Sequence, residues 1–328
     1  MQPTPRPTRR HLLAGAIVAS GIPPAAIANE LAYPSRPIRV LVGVPPGGST
    51  DGLTRLFADW LRQRMGQPAV VDNRPGVNSA IAAEAAARAP ADGYTLLAAT
   101  DALITVPLLQ RVSFDPFRDF VPIGTVAINR FVLVVHPSVP VNSVAELIAY
   151  ARARPGQLNY GSSGSGGTSH VALEIFKMQT GTDLVHVPYR GAGPALNDAI
   201  GGRYEVSLWT PLAVAAHVTS GRLKALAVTG PARLPMLPDL PTFAEAGLPQ
   251  YDRKSWFVVF APSGTPGPIV ERLASEIRAM LASPAMLEIL ARHGVEPFLA
   301  TPDQVTAMLR ADTEELRRVI QVAGIRMD

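Results

Sequence analysis

Apolar residues in this chain come in short runs separated by turn-forming residues. Ile38 to Gly43 reads IRVLVG, nearly continuous and β-branched, the pattern of a strand buried on both faces. Pro45-Pro46-Gly47-Gly48 interrupts it. After Ser49-Thr50-Asp51, the apolar positions Leu53, Leu56, Phe57, Trp60 and Leu61 recur at spacings of three and four, which predicts an amphipathic helix. The unit repeats with a strand over 69–72, a helix over 81–88, a strand over 95–99 and a helical stretch over 103–109. A second series opens with the strand at 131–135 and continues with a helix over 144–153, a strand over 158–161 and a helix over 171–180. It goes on through a strand over 184–187, a helix over 194–200, and strands over 204–208 and 223–228. Beyond a Pro-rich connection (231–249) come a strand over 256–260 and helices over 268–281 and 302–323. Alternating strand and helix predicts an α/β layer sandwich with a largely parallel sheet.

At roughly 100 to 200 residues per domain, 328 residues allow two domains. The second series has its own core signal, and the last two helices are expected to return to the first lobe. This places lobe 1 at 29–128 and 254–328 and lobe 2 at 129–253. With 47% hydrophobic and 17% charged residues, disorder is excluded and a large core is expected. The net charge is +4, but Arg6, Arg9 and Arg10 lie in the first 28 residues, which hold no Asp or Glu, and the remainder carries +1. Nucleic-acid binding is not expected, because it needs a concentrated basic face. Cysteine is absent, which removes disulfides, thiolate metal sites and cysteine nucleophiles together.

Residues 6–28 combine a basic start, an apolar run from Leu12 to Ile22 and small residues ending Ala26-Ile27-Ala28. This reads as an export signal over 1–28 with cleavage after Ala28, the run being far shorter than the roughly 20 residues of a membrane-spanning helix. Thr8-Arg9-Arg10-His11-Leu12-Leu13 resembles a twin-arginine motif, so either the general secretory or the twin-arginine route fits. The mature chain is expected in the periplasm.

Two glycine-rich loops share one physical design. Pro45 to Asp51 follows a strand and opens a helix, and so does Gly161-Ser162-Ser163-Gly164-Ser165-Gly166-Gly167-Thr168-Ser169-His170. The first turn of a helix carries N–H groups without intrahelical partners and a partial positive charge, and glycine lets a ligand approach the main chain. Each loop can hold an anion. Either loop alone also fits an ordinary strand-to-helix turn capped by Asp51 or Ser169; two of them, one per lobe, favour binding. Neither contains Lys or Arg, which suits a small carboxylate better than a phosphate chain.

No enzyme motif is complete. The phosphate loop with its Lys is missing, the dinucleotide fingerprint ends in Ser169, and the G-x-S-x-G elbow fails at Ser165. The histidines beyond the first 28 residues are isolated along the chain, without H-E-x-x-H or a close pair, so no zinc site is expected. His170, in the first turn after the second loop, either bonds a neighbouring carbonyl or touches a ligand. Asp101, just past a strand, either caps a helix or reaches an amine on the ligand.

Seven segments appear in order that together resemble the Bug family, the TctC-type extracytoplasmic solute receptors of tripartite tricarboxylate transporters. They are Val44-Pro45-Pro46-Gly47-Gly48-Ser49-Thr50-Asp51, Asp72-Asn73-Arg74-Pro75-Gly76, Asp92-Gly93-Tyr94-Thr95-Leu96-Leu97, Val187-Pro188-Tyr189-Arg190-Gly191-Ala192-Gly193-Pro194-Ala195, Ala225-Leu226-Ala227-Val228-Thr229, Leu237-Pro238-Asp239-Leu240-Pro241-Thr242 and Phe260-Ala261-Pro262-Ser263-Gly264-Thr265-Pro266. The resemblance implies a two-lobed α/β periplasmic-binding-protein fold of the Venus-flytrap kind, type II, with a ligand cleft between the lobes. It also implies a carboxylate held between the two loops, with Gly47, Gly48, Ser49 and Thr50 on one side and Ser163, Gly166, Thr168 and Ser169 on the other. Thr100 and Asp101 would line the first-lobe wall, and Tyr189 with Gly191 the second.

Two departures stand out. Relatives commonly continue Asn73-Arg74-Pro75-Gly76 with further glycines, where this chain has Val77-Asn78-Ser79-Ala80. The strand ending Ser207-Leu208 is often followed by a cleft-facing Asp, where this chain has Trp209. If Trp209 lines the cleft it favours an aromatic or otherwise apolar monocarboxylate over an amino acid; the alternative is a ring packed in the lobe core. The expected role is capture of a small organic carboxylate by a monomer for membrane permease subunits, with no cofactor, no metal and no catalysis. A periplasmic sensory receptor partnered with a membrane kinase, or an enzyme acting on carboxylates, is the alternative.

Overall fold

The computed structural model describes residues 33–325; the proposed export signal lies outside the described residues. Eleven strands and ten helices among the described residues form two mixed sheets flanked by helices. The first sheet contains β1 (Ile38–Val42), β2 (Ala69–Asn73), β3 (Thr95–Ala99), β4 (Phe120–Asn129), β10 (Ser255–Pro262) and β11 (Val295–Pro297), in the order β11-β4-β10-β3-β1-β2. The second contains β5 (Val132–Val135), β6 (Leu158–Ser162), β7 (Leu184–Pro188), β8 (Val206–Trp209) and β9 (Lys224–Val228), in the order β7-β6-β8-β5-β9.

The short apolar runs become strands because both faces are covered. Val40, Leu41 and Val42 are fully buried, and Val40 lies opposite Val71 on one side and Leu96 on the other, all parallel. The expectation of a largely parallel arrangement is corrected elsewhere. β10 runs antiparallel to both β3 and β4, with Val258 opposite Ala99 and Trp256 opposite Ile128. β5 likewise runs antiparallel to β8 and β9. A run buried on both faces carries no mark of its direction, so local pattern cannot separate the two cases. The apolar pattern gives no sign of β4, because Pro122 and Gly124 interrupt it. Pro122 sits opposite Phe260 next to a register shift, and Gly124 leaves room for Ile277, whose Cδ1 would lie 3.2 Å from a Cβ there.

The helices that position the site are α1 (Ser49–Met65), α2 (Ala80–Ala87), α3 (Ala102–Leu109), α4 (Val144–Arg152), α5 (Thr168–Thr180) and α6 (Ala192–Ile200). They are followed by α7 (Pro211–Thr219), α8 (Gly267–Leu281), α9 (Pro284–Arg292) and α10 (Pro302–Ala323). α10 opens with a capping box between Thr301 and Gln304 and packs on β4, α3 and α5, so the last helix touches elements associated with both sheets.

The chain leaves the first sheet after Asn129, enters the second at Val132 and returns at Ser255. Both crossings meet at Arg130, whose side chain is 8% exposed and binds Asp252 at 3.0 Å and Glu296 at 2.9 Å. Apolar packing is continuous through this region: Trp256, Tyr251 and Phe176 belong to one buried cluster, and the Tyr251 hydroxyl donates to the Ala172 carbonyl at 2.8 Å. A separate cluster under the second sheet gathers Val132, Tyr204, Trp209, Val214 and Leu234.

Candidate functional site

The first loop is braced by one carboxylate. Asp51 lies in the first turn of α1, and its Oδ2 accepts the Gly47 N–H and Arg55 Nε, each at 2.9 Å. Its Oδ1 accepts Asn73 Nδ2 at 2.8 Å, and the same amide group donates to the Val44 carbonyl at 3.0 Å. Burial pushes the Asp51 pKa up, but the bonds from Arg55, Asn73 and Gly47 outweigh it and hold the carboxyl below its usual range. The loop is thereby tied to β2, and the Gly47 amide is engaged. Gly48 is the N-cap of α1 without a side-chain cap, which leaves the first-turn N–H groups of Ser49 and Thr50 without intrahelical acceptors. A Cβ at Gly47 or Gly48 would meet nothing within 4 Å, so the backbone here is approachable. The Ser49 hydroxyl points to Asn129 Oδ1 at 3.3 Å.

The second loop satisfies most of its own amides. Ser163 N–H donates to Ser169 Oγ at 3.2 Å, Gly164 N–H to Ser162 Oγ at 3.2 Å, and Gly167 N–H to the Gly164 carbonyl at 3.1 Å. Gly166 N–H donates to His170 Nδ1 at 2.9 Å, and Gly191 N–H to the Ser163 carbonyl at 3.1 Å. Gly166 is therefore a structural amide in this loop. The first hydrogen bond of α5 runs from Val171 N–H to the Gly167 carbonyl, and the N-cap, Gly167, has no side-chain cap. The Thr168 and Ser169 N–H groups thus open the helix without intrahelical acceptors.

Behind the loop lies a stack that chain spacing did not reveal. His170 and His186, isolated in sequence, pack ring on ring at 3.7 Å and 9°, with Tyr160 stacked on His186 at 4.9 Å. Ser162 Oγ meets His186 Nε2 at 2.7 Å, and Tyr160 donates to the buried Glu174. Accepting the Gly166 N–H leaves His170 Nδ1 without a proton, so this histidine is a loop brace.

Two side chains cross from the first-sheet half to the second loop. Asp101 is the N-cap residue of α3, but its side chain makes no cap bond: its Oδ1 accepts Thr168 Oγ1 at 2.9 Å and Ser255 Oγ at 2.5 Å. Burial raises its pKa, opposed by those two hydroxyls and by Arg253. Asn78, which sequence reasoning singled out only as a departure in its turn, donates through Nδ2 to the Ser165 carbonyl at 2.6 Å. Its neighbour Ser79 donates to the Gly43 carbonyl at the root of the first loop, at 3.1 Å. Residues 78 and 79 thus tie the second loop to Gly43, at the root of the first.

The remaining candidates are spread around this junction. Thr100 is half-buried at the end of β3. Tyr189 donates to Asp198 at 2.9 Å, and burial together with that carboxylate pushes its phenol up to about 12. Gly191 has a φ of 113°, and a Cβ there would meet nothing within 4 Å. Trp209 is 5% exposed in the second core cluster, its Nε1 buried without a hydrogen-bond partner. Among the described residues no group of His, Asp and Glu side chains could hold a metal ion, and no helix is long and apolar enough to cross a membrane.

Two α/β sheets joined by paired crossings, with side chains of the first-sheet half bonded to the glycine loop of the second, define a two-lobed solute-binding protein. Residues 53–325 match the tripartite tricarboxylate transporter family receptor, TctC, and the chain belongs to that family. It is 36% identical to protein BugT of Bordetella pertussis (strain Tohama I), over 95% of this chain and 96% of BugT. Its fold is similar to that of the R. palustris protein Rpa4515 solved with adipate, at 39% identity and a TM-score of 0.84, covering 90% of this chain and 100% of that one. MatC (Rpa3494) of Rhodopseudomonas palustris, solved with bound malate, is similar at 26% identity and a TM-score of 0.78, covering 88% and 100% of the two chains.

Proposed function

We propose that this chain captures a small aliphatic dicarboxylate between two lobes in the periplasm and presents it to the membrane permease of a tripartite transporter. The lobes are residues 29–128 with 254–328, and residues 129–253. The carrying observation is that two uncapped helix starts, at Ser49-Thr50 and Thr168-Ser169, belong to loops connected through Asn78 and Ser79, which tie the second to Gly43 at the root of the first. Such groups recognise a negative head group without a basic side chain. Charge-assisted hydrogen bonds contribute about 1.5–3 kcal/mol each, so a handful reaches the roughly 8 kcal/mol of micromolar affinity. Burial of Trp209 removes the ground for an aromatic ligand, and adipate in a relative at 39% identity supports an extended diacid. Ligand contacts are assigned to the Gly48 to Thr50 backbone and to the Thr168 and Ser169 amides, the Gly47 and Gly191 N–H groups being already bonded within the protein. The protein acts as a monomer, and no bond is broken.

Thermal-shift titration of the mature protein against C4 to C8 dicarboxylates, benzoate-type acids and acidic amino acids tests this. A diacid at a hundredfold excess over its Kd should stabilise by about 2.7 kcal/mol. A protein that responds to benzoates or amino acids and to no diacid would refute the ligand class.

A further inference from the structure

The turn between β2 and α2 is the one place among the described residues where residues other than glycine adopt positive φ. Val77 has φ 47°, Asn78 46° and Ser79 74°, directly after Gly76 at 131°. A β-branched residue in this region is a genuine outlier, since Cβ crowds the backbone, and asparagine tolerates it best after glycine. Relief is blocked locally. Ala80 N–H donates to the Val77 carbonyl at 3.0 Å, Ser79 is bonded to Gly43, and a Cβ at Gly43 would lie 2.2 Å from that of Ser79. Strain of this kind persists where the surrounding structure over-determines it, and it collects at functional sites.

The turn's product is the placement of Asn78. Its Nδ2 takes the Ser165 carbonyl across the junction, and its Oδ1 would lie 3.6 Å from a Cβ at Gly164 and 3.8 Å from one at Gly167. The amide thus lies in van der Waals range of both glycine positions of the second loop while its nitrogen holds the Ser165 carbonyl. We infer that Asn78 is a positioning residue, a clasp from the first lobe that orders the second loop and so sets the Thr168 and Ser169 amides for the ligand without touching it. The inference deepens the carboxylate-receptor reading and rests on it for its effect on affinity. Because the clasp spans the junction, it forms only when the lobes are together, and it shifts the population toward that state.

The test compares Asn78→Gly and Asn78→Ala in the full mature chain. Glycine relaxes the backbone and alanine does not, whereas both delete the clasp. Three quantities are read: urea midpoint, hydrogen exchange of the 163–170 amides without ligand, and calorimetric affinity for adipate. The glycine variant should have the higher urea midpoint of the two, while both variants exchange faster over 163–170 and bind adipate about two- to tenfold more weakly. A packing role alone would make affinity follow the midpoint. Unchanged exchange over 163–170, or faster exchange with wild-type adipate affinity, overturns the clasp. Should adipate fail to bind the wild-type chain, the exchange result still decides the clasp, and the choice of diacid is what fails.

Discussion

Replacing Asp101 by asparagine should flatten the pH dependence of stability. Asp101 is 6% exposed and faces Thr168 of α5 and Ser255 of β10, with Arg253 and Asp312 acting on it from the returning crossing and α10. A cavity of about 250 Å3 adjoins it, lined also by Gln179, Gln250, Asp252, Lys254, Glu315 and Leu316. Burial is the largest influence on its carboxyl and raises the pKa. The folded chain then holds this proton more tightly than the unfolded chain, whose value is about 3.9. The resulting stabilisation is complete below that pH and is lost as pH climbs through the folded value, at no more than about 1.4 kcal/mol per pH unit for one proton. The Asp101→Asn protein keeps an amide oxygen for the two hydroxyls and has no proton to lose. Asp101→Ala removes the acceptor as well, and each stranded hydroxyl costs about 1–3 kcal/mol. Urea unfolding from pH 4 to 8 should show the asparagine variant gaining on wild type as pH rises, with the alanine variant below it throughout. Asp312, also raised by burial, contributes with the same sign, so the series is repeated with Asp312→Asn. Parallel wild-type and Asp101→Asn curves, or an alanine variant as stable as the asparagine one, would refute the reasoning.

Gly161→Ala should cost about 3 kcal/mol in urea unfolding, because its Cβ would stand 2.1 Å from Tyr204 Cζ, in a ring that is 1% exposed and anchored to the Ala195 carbonyl. A loss below about 1 kcal/mol would mean that the ring can move. Glu276 has a side chain 2% exposed and accepts from Trp60 and Arg64 of α1 while pairing with Arg272 of its own helix. The arginines are about half exposed and can turn to water, so Glu276→Ala should cost about 2 kcal/mol and Glu276→Gln clearly less; equal losses would show that charge, not hydrogen bonding, fastens α8 to α1.

The strand-to-helix units were readable wherever signal and structure are local. The breaks after β1 and β6, and the helices they open, follow from glycine punctuation and three-and-four spacing, although α5 begins at Thr168, a turn earlier than its first apolar residue suggested. α7 and α9 begin at Pro211 and Pro284, each at a first helical position; α7 has no clear apolar face to reinforce that start signal, whereas α9 buries Met286 and Leu290 four residues apart and was legible in principle. What stayed hidden depends on partners distant in the chain. Asp101 does stand at the N-cap of α3, as the helix that follows it suggests, but its carboxylate is used by Ser255, 154 positions away, which local pattern does not show. Asn78 differed from the glycines of relatives, but neither its φ nor its target, 87 positions on, leaves a trace in composition. Histidine spacing excluded a chain-local pair while saying nothing of the ring stack formed when β6, β7 and α5 meet.

The strand order of the first sheet governs how the chain can be assembled. β10 separates β3 from β4, so a nascent polypeptide that has delivered residues up to Asn129 holds the paired strands β3-β1-β2 and a lone β4 with no edge in common. The five strands of the other sheet, from Val132 to Val228, are contiguous and can pair as soon as they emerge. Closure of the first sheet waits for a strand made more than a hundred residues later, a long-range pairing of the kind that folds slowly. Any truncation upstream of Ser255 therefore removes the strand that joins β3 to β4, together with the edge strand β11, and the intact chain must protect those open edges until β10 has been made.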